Sequence, residues 1–149
     1  MAANMYDIEV HHTYPEGSYY IGDVCYAFDK EVYEKQWQDK YKFARGTLDI
    51  TNNNITSKFS VNSTAFGDGL YMDDVNGLQF PVDSGTIGII PLELCSKSMF
   101  AKDGTIKGGH IIKSSTDIEF RSNKGIFVIG YNDNTNMIII DTEDNDECE

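Results

Sequence analysis

Along most of the chain, apolar and polar residues alternate in short runs, each ended by a cluster of Asn, Asp, Gly or Ser. A period of two marks a strand with one covered face. Strands are predicted over 6–11, 18–21, 47–51, 57–61, 70–72, 79–82, 87–90, 110–113, 117–120, 126–131 and 137–141. The turns between them fall at 51–54, 73–77, 103–109, 123–125 and 132–136, where side chains that bond their own backbone and residues tolerant of positive φ are concentrated. Only 30–43 breaks the alternation. It lacks Gly and Pro, and it sets Tyr33, Trp37 and Tyr41 on one helical face beside Val32. Asp29 is the expected N-cap, Glu31 suits the first turn, and Gly46 is the expected stop. The fold class expected is mainly β: an antiparallel sandwich or partly open barrel, with one amphipathic helix laid over an open face or mouth of the sheet.

Length fits one core, so 1–140 is read as a single β-rich domain. The charge changes that picture at one end. Of a net charge of −12, half comes from the acidic side chains of 141–149, which is read as a frayed tail. The acidic balance disfavours simple binding to a nucleic-acid backbone, which requires clustered Lys and Arg, and no direct nucleic-acid binding is expected. Cys25, Cys95 and Cys148 are odd in number and show no paired spacing, so free thiols in a reducing cytosol are expected. The first twenty residues have neither a basic start nor an apolar core, and the longest apolar runs are strand-sized. A soluble, cytoplasmic protein without a cofactor is the expectation.

Candidate chemistry sits in two turns. In the first, Val82-Asp83-Ser84-Gly85-Thr86 runs into apolar Ile87-Gly88-Ile89-Ile90. This resembles the active-site element of retroviral-type aspartic proteases, in which one aspartate from each subunit of a homodimer shares a proton and activates water. The likeness would make Asp83 catalytic, with Ser84 and Gly85 supporting the paired loops, Gly108-Gly109 a flap tip and Gly130 the later glycine element. The frame differs, however: 82 residues precede the element, the interval from Asp83 to Gly130 is short, and an Asn-rich turn follows where that family has a helix. The competing reading, adopted here, is a turn in which Asp and Ser bond the backbone and Gly85 takes a positive φ.

In the second turn, Thr64 to Tyr71 carries Gly67-Asp68-Gly69, with Asp73 and Asp74 close behind. Three carboxylates suit a hard cation, but neither this spacing nor that of 133–144 satisfies an EF-hand loop, and a tight turn or bulge feeding the next strand is expected. If the two turns meet, Gly67, Asp68, Gly69, Tyr71, Asp83 and Ser84 would line a small-molecule or cation site. His11 and His12 should point to opposite sides of a strand; a Cys25 or Cys95 nucleophile with His110 as base has no local support, and the apolar setting Val24-Cys25-Tyr26-Ala27-Phe28 reads as inert core. No metal-ligating set, P-loop, dinucleotide fingerprint or nucleophile elbow occurs.

In order, Gly22-Asp23-Val24-Cys25-Tyr26, Trp37, Gly67-Asp68-Gly69-Leu70-Tyr71, Asp83-Ser84-Gly85-Thr86-Ile87-Gly88 and the closing Ile138 to Thr142 resemble a family of small all-β proteins from bacteriophages and bacteria. Val24 stands where that family has Pro. Its members carry Ala as well as Ser at the position of Ser84, which favours a structural turn. The resemblance implies no activity. Together with the acidic balance and the lack of a strong catalytic constellation, it leads to the expectation of a phage-type accessory protein acting without catalysis on a host protein, as an inhibitor or anti-defence factor; a homodimer belongs to the protease alternative.

Overall fold

The computed structural model describes residues 8–100 and 105–143. Eleven strands are present among them, in two main antiparallel sheets and a separate hairpin. Strands β1 (Val10–Tyr14), β9 (Ile118–Asn123), β10 (Ile126–Tyr131) and β11 (Asn136–Asp141) form a four-stranded sheet in that order. The five-stranded sheet runs β3 (Gly46–Asn52), β4 (Ile55–Ser63), β7 (Thr86–Pro91), β2 (Gly17–Gly22) and β8 (Gly109–Ser114). The hairpin consists of β5 (Gly69–Met72) and β6 (Gln79–Val82).

The period of two explains how the sheets stack. In β2, Tyr19 and Ile21 face the four-stranded sheet while Tyr20 faces away; in β7, Ile87 and Ile89 face it while Ile90 does not. The inner residues meet Val10, Ile118, Phe120, Phe127, Ile129, Ile138 and Ile140 to make the sandwich core. Buried polar links cross that interface: Tyr14 Oη lies 2.5 Å from Ser60 Oγ, and Asn62 Nδ2 donates to Ser122 Oγ at 3.1 Å. The fold is thus a mainly β sandwich, and no barrel closes among the described residues.

A second core covers the outer face of the five-stranded sheet. Helix α1 (Val24–Ala27), helix α2 (Lys30–Val32, continued as a π-helix over Tyr33–Lys40) and two short 3₁₀ turns (Leu92–Leu94, Lys97–Met99) set Val24, Phe28, Val32, Trp37, Leu94 and Met99 against Tyr20, Ile50, Phe59, Val61 and Ile90. The predicted helix therefore exists and packs its aromatic stripe inward, yet it stops three residues early. Its last turns bond with widened spacing, Tyr41 N to Gln36 O and Phe43 N to Trp37 O, and Lys42 and Phe43 turn left-handed at φ 54° and 58°. Gly46 opens β3 instead of ending the helix. Asp29 occupies the N-cap position, but its carboxylate accepts from Asn52 and not from the helix N-terminus.

Two further expectations shift. The first strand lies at Val10–Tyr14, because pairing with β9 sets its register and places Tyr14 opposite Ile118. Asp141 belongs to β11, and buried Thr142 donates its hydroxyl to Gly125 O, so the folded body extends past 140. The rest of the predicted acidic tail, 144–149, lies outside the described residues, as does Cys148.

Candidate functional site

The two candidate turns lie side by side, and one buried carboxylate organises them. Asp23 follows the last residue of β2 and is fully buried. Its Oδ1 accepts from Cys25 N at 3.0 Å, capping α1, and from Ser84 Oγ at 2.6 Å. Its Oδ2 accepts from Asp83 N at 2.5 Å and Ser84 N at 2.9 Å. Four donors satisfy this carboxylate, which is the condition for burying it. Ser84 Oγ also lies 2.5 Å from Thr86 Oγ1.

The 64–71 segment closes over the same turn. Thr64 N donates to Gly85 O at 3.0 Å, and Gly67 O accepts from Thr64 Oγ1 at 2.6 Å and Tyr71 Oη at 2.8 Å. Gly85 has φ +74°, the conformation its turn requires, and a Cβ there would sit 3.6 Å from Gly67 Cα. Gly67, Gly69, Tyr71, Ser84 and Gly85 are thus gathered around one knot of hydrogen bonds. Asp68 and Asp83 are exposed at its rim, where the Asp83 carboxylate accepts from Tyr26 Oη. Asp73 is built in elsewhere: its carboxylate accepts from Val75 N, Asn76 N, Asn76 Nδ2 and Ile139 N, fastening the hairpin to β11.

Cys25 sits half-buried beside this rim. Burial, then the charge of Asp23 and its hydrogen bond, then Asp83 and Asp68, push its thiol well above the usual range, so it is held protonated and poorly nucleophilic. Burial pushes Cys95 up to about 12. His110 stacks edge-on against Phe80 in the sandwich core, with Nε2 2.8 Å from Gln79 O, while Cys95 lies in the core on the other face of the sheet. The sheet separates that base from that thiol. His11 is 3.4 Å from Glu119, whereas His12 stacks edge-on against Tyr14. Among the described residues, no three His, Cys, Asp or Glu side chains converge in a way that would hold a metal ion.

Two surfaces beside the knot were not visible as sites in the sequence. The first is the outward face of the hairpin. Strand alternation buries Tyr71, Phe80 and Val82 and turns Leu70, Met72 and Pro81 outward. Phe66 and Val75, which flank β5 along the chain, are exposed as well: the values are 57% at Phe66, 39% at Leu70, 48% at Met72 and 53% at Val75. Asp68, Asp74 and Asp83 are exposed along the same segment, and no ion pair engages them among the described residues. No Lys or Arg occurs between Lys58 and Lys97.

The second surface is a groove of about 410 Å³ lined by Tyr33, Trp37, Lys42, Phe43, Arg45 and Ser84. Its aromatic rings meet edge to face, with centroids 5.4 Å apart for Tyr33 and Trp37 and 5.0 Å for Trp37 and Phe43. It exists because the π-helix ends in two left-handed residues, which return Phe43 onto Trp37. A regular helical pattern gives no sign of that ending.

Among the described residues, no helix is long and apolar enough to cross a membrane. Comparison with known proteins finds no matching family model, no matching curated protein and no matching solved structure.

Proposed function

We propose that this chain acts without catalysis, as a binding domain that docks a protein partner on the outward face of β5–β6. The observation that carries the reading is the exposed run of Phe66, Leu70, Met72, Val75 and Pro81, an apolar surface of the kind that marks interaction sites. The hairpin beneath it is held firmly, by Asp73 to β11 on one side and by the His110 contact to Gln79 O on the other. Such a face is pre-organised and loses little freedom on binding. The charge beside it defines the partner's chemistry. Asp68, Asp74 and Asp83 flank the apolar run in a segment without basic residues, so the partner carries an apolar centre ringed by Lys and Arg. On the family resemblance, that partner is a host protein and the role is modulation by a phage-type accessory factor.

The test is recovery of the partner from a bacterial host with the tagged chain and with a Leu70→Lys/Met72→Lys variant. Both side chains are exposed, so the variant should melt with the parent protein. The expected result is one partner recovered stoichiometrically by the parent, released by raised salt and lost with the variant. Absence of any stoichiometric partner, or equal capture by the variant, would overturn the reading.

A further inference from the structure

We infer that the groove beside α2 is a second site, specific for a small ligand that joins a planar aromatic ring to a phosphate group, as a nucleoside monophosphate does. Arg45 is the basis. In a chain of net charge −12, its guanidinium is half-buried, yet no carboxylate lies within ion-pair distance of it among the described residues. The protein holds it in another way. Nε donates to Ser63 Oγ at 2.8 Å, Nη1 donates to Phe43 O at 2.5 Å, and the group lies over the Trp37 ring at 5.6 Å. Those contacts use two of the five N–H donors of a guanidinium and fix its plane. A positioned fork with donors to spare, along a wall of the groove, matches the oxygens of a phosphate.

The remaining walls set the rest of the ligand. Lys42 stands exposed in the groove lining and adds a second cation. Tyr33 and Phe43 are half-buried and present aromatic surface on which a flat ring can pack, while Trp37 forms the buried floor. The volume lies within the range of small-ligand sites. Lys42 and Phe43 both hold left-handed backbone, a conformation costly for non-glycine residues, and it is what brings Phe43 and Lys42 to the groove. This site shares only Ser84 with the residues expected from the sequence, and it is independent of the docking face.

Trp37 is the one tryptophan, so the protein carries its own reporter. The experiment is a titration of its fluorescence, repeated by calorimetry, with adenosine monophosphate, adenosine, inorganic phosphate and benzoate as separate probes. Adenosine monophosphate should bind saturably, at least tenfold more tightly than adenosine or phosphate alone, and more weakly as salt rises. Arg45→Lys should weaken it tenfold or more by losing the planar fork. Lys42→Asn, whose side chain suits left-handed backbone, should weaken it several-fold while leaving the melting temperature in place. No saturable binding of adenosine monophosphate would overturn the inference. So would equal binding of adenosine, which would make the groove merely apolar, or equal affinity in the Lys42→Asn protein.

Discussion

At the scale of single residues, the side chain with most consequence is Asp23. Cys25 N, Asp83 N, Ser84 N and Ser84 Oγ all end on its carboxylate, and the residue itself is fully buried. Asp23→Ala would strip Cys25 N, Asp83 N and Ser84 N of their acceptor in a part-buried turn, and it should lower the unfolding free energy by roughly 2–4 kcal/mol. Ser84→Ala removes a single hydroxyl donor and should cost about 1 kcal/mol. Urea unfolding of the two variants measures the difference; equal losses would show that Asp23 does not organise the turn. Asp83, which the protease likeness singles out, contributes its backbone N–H to this arrangement while its own carboxylate faces outward to Tyr26.

At the scale of elements, the hairpin β9–β10 offers a test of how closely local chemistry fits local shape. Asn123 pairs with Ile126, leaving Lys124 and Gly125 as a two-residue loop with φ values of 50° and 79°. Both are left-handed, as the primed hairpin turn requires, and Asn-Gly fits that turn better than Lys-Gly. Lys124→Asn should therefore raise stability by about 0.5–1 kcal/mol, read as a higher urea midpoint at unchanged slope. The strands were legible for the same reason. Inner and outer residues alternate with a period that sequence displays directly, so 79–82 and 126–131 match the observed strands end to end. The end of α2 was not legible, because the choice between α and π spacing depends on how Trp37 and Phe43 pack and not on intrinsic preference. Asp23 was visible only as part of a motif, since burial and a partner sixty residues away leave no local pattern. The groove has no signature in the sequence because Tyr33, Arg45 and Ser84 are brought together by layers that no spacing encodes.

At the scale of the whole molecule, two buried tyrosines guard the interfaces between layers. Tyr14 bridges the sheets through Ser60, and Tyr20 lies in the core beneath the helical layer, donating to Asp23 O and Lys107 O. Burial, the largest cause for each, pushes both phenols far above their usual value of 10.0; the Ser60 hydrogen bond only partly opposes this at Tyr14, and the charge of Asp23 adds to it at Tyr20. An unfolded chain releases these protons once pH passes that value, while the folded chain keeps them. Stability should therefore be undiminished by these groups below pH 10 and fall as pH rises beyond it. Absorbance titration should show Tyr14 and Tyr20 ionising only together with loss of structure; full ionisation of all nine tyrosines in an intact fold would contradict this.

The pairing of β1 with β9 carries a consequence for biosynthesis. Val10 meets Ser122 and Tyr14 meets Ile118, so a strand made early waits for one made about a hundred residues later. Until β9 to β11 leave the ribosome, Tyr19 and Ile21 of β2 and Ile87 and Ile89 of β7 lack the cover of Phe120, Phe127, Ile129, Ile138 and Ile140. Non-local closure of this kind is slow and exposes apolar edges meanwhile. Nascent chains of this protein are therefore expected to complete their sandwich only once β9 to β11 have left the ribosome, with chaperones shielding the unfinished half.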